Sequence, residues 1–214
     1  MTLGDIIDDT LTVLKENTST PVYWTRSEIT DNVNEGQLDF NELTECLWAN
    51  TSYTSIVSTR YLKLPSDCLF VKRLLIDNFT ETVQYNYGEL DLDNYSWEED
   101  NFITLPEHTY QYDLTTLWFT PAFDTAGKTI KIFYFKIPTE LTADADTPDI
   151  PKQWHDALKF YALALCIEKE GESVTDLVKS KEWYDKYIDI VNQAKKLYKG
   201  RISDRYQDRM RVVR

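Results

Sequence analysis

The sequence predicts an α+β fold. Helices at both ends pack as one bundle, an antiparallel β module is inserted between them, and an extended basic arm closes the chain. Three observations predict it. Apolar residues recur at helical spacing near both termini, and at strand spacing in the middle. The charge sign then reverses at the C-terminus. The expected boundaries are 1–50 for the N-terminal helices, 51–140 for the β module, 141–199 for the C-terminal helices and 200–214 for the arm.

The first helix is expected over 2–16. Leu3, Ile6, Ile7, Thr10, Leu11 and Leu14 share one face, and Thr2 with Asp5 forms a capping pair. The second spans 25–48. Thr25-Arg26-Ser27-Glu28 is a capping box, and Trp24 before it staples onto Ile29. Ile29, Val33, Gly36, Phe40, Leu43 and Leu47 make its stripe. Gly36 either interrupts that stripe within one helix or divides it into two.

From about 53 to 140 the period falls to two. Ile56–Leu64 reads as a strand stopped by Pro65, and Leu69–Ile76 as the next. Further strands are expected near 81–87, 101–105, 110–119 and 129–137, the last after an Ala126-Gly127-Lys128 turn. An acidic loop, 140–151, leads to a helix with Pro151 in its first turn and a cap near Asp149. Trp154, Ala157, Leu158, Tyr161, Ala162 and Leu165 line its face, and Gly171 ends it. The last helix runs from about 173 to 199, with Leu177, Lys181, Tyr184, Tyr187, Ile188, Val191, Ala194 and Tyr198 on its stripe. Gly200 is expected to end it.

The chain has 214 residues and a formal charge of −13, yet Lys195, Lys196, Lys199, Arg201, Arg205, Arg209, Arg211 and Arg214 are opposed locally only by Asp204 and Asp208. An acidic body disfavours phosphate binding, whereas a basic terminal arm suits docking on another molecule. No segment is apolar enough to span a membrane, and Asp5, Asp8 and Asp9 interrupt any signal-peptide core. Cys46, Cys68 and Cys166 stand far apart and read as buried free thiols. The N-x-S/T triplets at Asn17, Asn50, Asn78 and Asn94 read as chance matches.

Catalytic signatures are missing: no Walker A loop, GxGxxG, HExxH or GxSxG occurs. His108 and His155 fall in different modules without partners at metal-ligand spacing, so no cofactor and no metal is expected. His155 reads as structural or superficial. Glu89-Leu90-Asp91-Leu92-Asp93 and Asp144-Ala145-Asp146 alternate carboxylates without the EF-hand glycine and glutamate, and read as solvated loops.

Several blocks together resemble the head-to-tail adaptor (connector or neck) proteins of tailed bacteriophages. They are Tyr23-Trp24-Thr25-Arg26-Ser27-Glu28-Ile29 leading to Val33–Phe40, then Arg60–Cys68, then Phe119-Thr120-Pro121, and most specifically Ile150–Ala162 before a long Tyr-rich helix and charged tail. The resemblance implies a structural virion protein rather than an enzyme. Such a protein forms a homo-oligomeric ring, usually a dodecamer, under the portal. It bridges portal to tail or to the next neck protein, and genomic DNA passes down its channel. It resides in the virion neck after assembly in the host cytoplasm. The portal-docking residues are then Arg201, Arg205, Tyr206, Arg209, Met210, Arg211 and Arg214.

Two other classes are compatible with the sequence. A tail-associated β module recognising host glycan or protein would use Tyr85, Tyr87, Tyr95, Trp97 and Trp118 as a platform. A hydrolase would need scattered carboxylates to converge in a cleft.

Overall fold

A computed structural model describes residues 1–77, 80–81, 83–85, 108–113, 115–120, 122–170 and 174–211. They form two compact units, residues 1–47 with 138–214, and residues 48–137. The fold is mixed helix and sheet.

In the first unit α1 is Leu3–Val13 and α2 is Arg26–Thr44. Both starts are closed by capping boxes. Thr2 N–H donates to Asp5 Oδ2 at 2.8 Å and Asp5 N–H to Thr2 Oγ1 at 3.2 Å. Thr25 N–H donates to Glu28 Oε2 at 3.0 Å and Glu28 N–H to Thr25 Oγ1 at 3.2 Å. Each box satisfies two backbone N–H groups at the helix start. Trp24 and Ile29 are both buried in the same cluster, as the staple requires. Gly36 does not divide α2. It is where α2 meets the next helix, since a Cβ built there would lie 2.8 Å from Tyr161 Cδ1. Glu45, in the left-handed region at φ 54°, ends α2.

A 3-10 turn, Lys152–Trp154, precedes α3, His155–Glu170, and α4 is Val174–Arg211. The Asp149 carboxylate ahead of this turn accepts from Thr139 N–H at 2.9 Å, and Pro151 stands at the turn's start. The four helices bury one apolar cluster, from Leu3, Ile6 and Leu11 through Ile29, Val33 and Phe40 to Leu158, Tyr161, Tyr187 and Val191.

Two expectations for α4 are corrected. Leu177, Lys181 and Tyr184 are exposed, and the inward positions are Ser180, Tyr187, Val191 and Ala194. A serine sits inside because its Oγ donates to Ala164 O at 2.9 Å. The helix also does not stop at Gly200: its backbone continues to Arg211, so the arm is not extended there. One interior glycine costs only about 1 kcal/mol and does not stop a helix without a left-handed cap.

Among the described residues the second unit holds two four-stranded sheets. One has the order β1-β8-β3-β4, from Trp48–Thr54, Thr129–Lys136, Cys68–Ile76 and Thr80–Glu81. The other has the order β2-β7-β6-β5, from Tyr61–Lys63, Thr116–Thr120, His108–Asp113 and Val83–Tyr85. Ile130, Ile132 and Tyr134 of β8 alternate inward and meet Val71, Leu74, Leu117, Phe119 and Phe123 in one core.

The pairing is antiparallel except between β5 and β6, which run parallel, Val83 opposite His108. A parallel pair cannot be closed by a tight hairpin. The expected 110–119 strand is a hairpin of β6 and β7. The expected Ile56–Leu64 strand survives only as β2. Ile56 and Val57 are exposed and Ser58 has φ 62°, because this stretch carries the chain from one sheet to the other. The strand expected at 101–105 and the Glu89–Asp93 loop lie outside the described residues.

Candidate functional site

Among the expected docking residues, Arg201, Arg205, Tyr206, Arg209, Met210 and Arg211 belong to the last turns of α4, and Arg214 lies outside the described residues. With 3.6 residues per turn, positions 201, 205 and 209 form one row along the helix, and 206 and 210 a neighbouring row. Tyr198 is the last α4 residue described as packing on the helical core. Trp154 Nε1 donates to its hydroxyl at 3.3 Å.

The helices that carry this segment are held by polar clamps that periodicity alone does not reveal. Buried Gln37 donates from Nε2 to Thr139 O at 3.0 Å and accepts from Asp149 N–H at 2.8 Å. Asn34 brackets Leu141 in the same way, at 3.0 and 2.8 Å. Arg26 bridges Asp8 at 2.6 Å and Asp144 at 2.9 Å, joining α2 to α1 and to the acidic loop, and its guanidinium is held above its ordinary pKa by these bonds, Asp8 first.

The acidic loop is therefore structural. Asp146 accepts from Thr142 and Ala143 N–H at 2.8 and 2.7 Å, which keeps its carboxyl below the usual range. Asp144 O accepts from Gly4 N–H at 2.9 Å. No group of His, Cys, Asp and Glu fit to hold a metal occurs among the described residues.

A tyrosine cluster joins α2, α3 and α4. Tyr161 and Tyr187 rings lie 5.0 Å apart edge to face, with Tyr184 beside both. Tyr161 Oη donates to Glu35 Oε1 at 2.9 Å, and Tyr187 Oη donates to Asp39 Oδ2. Burial, then the adjacent carboxylates, drive both phenols far above their ordinary pKa, so they act as neutral donors.

Outside that cluster, α2 presents acids at its N-terminal half. Glu28 bonds Lys169, and this contact together with the Thr25 cap lowers its carboxyl to about 2. Glu28 lines a pocket with Trp24, Asp31, Asn32, Leu165, Cys166 and Lys169.

His155 is buried, with Nε2 at 2.9 Å from Ile150 O. Its Nδ1 has no hydrogen-bond partner, and burial depresses its pKa. That is the environment of a neutral structural imidazole. The described thiols are free: Cys68 and Cys166 are buried and raised to about 11, chiefly by desolvation, and Cys46 is half-buried. For the aromatic platform, Trp118 packs beside exposed Tyr61 with centroids 5.8 Å apart. Tyr87, Tyr95 and Trp97 lie outside the described residues.

Residues 1–213 match the family model described as SU10 adaptor protein. The chain belongs to that family of phage adaptors, as its resemblance to head-to-tail adaptors implied. No curated protein matches it.

Proposed function

We propose that this SU10 adaptor family member is a structural neck protein that rings the portal exit and joins head to tail. The observation that carries the reading is the family match over essentially the whole chain, both units included. The ring, of dodecameric size by the family resemblance, is built from heterologous side-to-side contacts. Its acidic body suits a channel wall along which DNA slides without sticking, since like charges repel phosphate. The protein takes its place in the neck after assembly in the host cytoplasm, and no helix among the described residues is long and apolar enough to cross a membrane.

The C-terminal segment, Arg201, Arg205, Tyr206, Arg209, Met210, Arg211 and Arg214, docks on the portal. Support comes from its charge, opposite to the rest of the chain, and from its place in the last turns of α4. A tail protein, or the next neck protein, takes the opposite side of the ring. Replacing Arg201, Arg205, Arg209 and Arg211 by Glu is expected to abolish co-sedimentation with portal and leave the circular dichroism spectrum unchanged. Normal docking by that variant would refute the role of the segment.

A further inference from the structure

β8 is apolar on both of its faces. Ile130, Ile132 and Tyr134 point into the core between the sheets, and Ala49 and Tyr53 of β1 pack against that core. Phe133 and Phe135 alternate with them and so point outward. The register sets Trp48 of β1 and Phe70 of β3 on either side of Phe135. The three rings form a row, with neighbouring centroids 4.4 and 4.5 Å apart. Phe135 is buried beneath the row, but Trp48 is 46% exposed. A strand apolar on both faces suits a sheet with a packed layer on each side.

The same outward face carries cations. Lys72 Nζ lies 5.7 Å from the centre of the Phe135 ring, and Lys131 Nζ 5.2 Å from that of Phe133. Among the described residues neither ammonium has a carboxylate partner. The chain as a whole is nevertheless at −13. Unpaired cations beside aromatic rings select an acidic surface with an apolar centre. Phosphate is the other anion that suits two lysines, but so acidic a chain repels a polyanion.

The chain itself presents such a surface. Ser27, Asp31, Glu35, Leu38 and Glu42 are exposed and recur at four, four, three and four residues, so they form one row along α2. Glu35 is engaged by Tyr161. Asp31 and Glu42 have no cationic partner among the described residues, and Leu38, 36% exposed, stands between them. Eleven residues of helix separate the two acids by about 16 Å. Lys131 is opposite Leu75, three residues along β3 from Lys72, so the two lysine backbones are roughly 11 Å apart. Two flexible lysine stems span the difference.

We infer that the outward face of the β1-β8-β3 sheet in one copy receives the exposed row of α2 from a second copy. Lys72 and Lys131 meet Asp31 and Glu42, and Leu38 packs on the aromatic row at Trp48. The two surfaces differ, so the contact is head-to-tail, the kind that closes a ring. The second copy is the neighbour in the ring proposed above, and the inference rests on that reading.

The test pairs two charge-reversed full chains. One carries Lys72→Glu with Lys131→Glu, the other Asp31→Lys with Glu42→Lys. Each is mixed with the portal of its own phage and scored for rings by electron microscopy, beside wild type. Each variant alone sets like charges against each other and is expected to form rings at least about tenfold less often. An equimolar mixture restores opposite charges at every contact of an alternating ring, and is expected to form rings as wild type does. Rings from either variant alone at the wild-type level overturn the contact and leave the ring reading standing. A mixture that stays as poor as its components overturns it too. In that case a lowered Tm of the lysine variant assigns the lysines to a partner within their own copy. Rings at the wild-type level together with lost retention on duplex DNA would make the face a nucleic-acid surface instead. A wild type that forms no rings on portal removes both the contact and the ring reading.

Discussion

Replacing Gly36 by alanine tests whether α2 and α3 are held at contact distance by the missing side chain. An alanine in the middle of a helix is favoured over glycine by about 1 kcal/mol. Here its Cβ would lie 2.8 Å from Tyr161 Cδ1, 3.0 Å from Cγ and 3.2 Å from Cβ. Those atoms are the root of the ring, not a free tip. The ring cannot swing aside, because its hydroxyl is bound to Glu35 and its faces meet Tyr184 and Tyr187. Overpacking of this kind costs about 1–3 kcal/mol. The difference is a net loss of about 1 kcal/mol, or about 2–4 °C in Tm for a chain of this size. Thermal and urea denaturation followed by circular dichroism read it directly. In a Tyr161→Ala background the contact is gone, and Gly36→Ala should become stabilising by up to about 1 kcal/mol. A higher Tm for Gly36→Ala in the wild-type background would refute the reasoning.

Acid should weaken the fold in two stages. His155 has a folded pKa depressed below its ordinary 6.5 by burial, with the Met1 amine and Lys152 acting the same way, while the Ile150 carbonyl opposes them. The unfolded chain therefore takes up a proton first, and stability that is full above about pH 6.5 falls as pH drops through the window below it. A His155→Gln variant should lose this first stage in urea titrations run from pH 7.5 to 5. Glu28, held at about 2 against an ordinary 4.5, contributes above pH 4.5 and its share is lost as pH falls toward 2. Thr25→Ala removes the acceptor of Glu28 N–H and should cost about 1 kcal/mol in urea denaturation. No loss would show that the capping box is not what starts α2.

What sequence showed well was local. Both capping boxes, the Trp24 staple, the β3 and β8 runs and the Gly127 turn at φ 88° depend on residues a few positions apart. What it missed was set by partners distant in the chain. β1 was hidden because it is a polar edge strand, in which only Ala49, Thr51 and Tyr53 turn partly inward. Ile56 and Val57 carry strand propensity into a crossing between sheets, where burial is not on offer. On α4 the true stripe passes through Ser180, which periodicity counts as polar and which Ala164 O makes cheap to bury. Gly36 is ambiguous in sequence because the ring that sits over it, Tyr161, comes from a helix distant in the chain. The proposed docking residues are visible in sequence as a run of charge, but their helical rows are not, because Gly200 reads as an end.

Electron microscopy of this protein mixed with the portal of its own phage, beside protein alone, tests the central claim most directly. The account predicts rings stacked on the portal, with the C-terminal end of α4 at the contact. Single copies that ignore the portal at every concentration would contradict it.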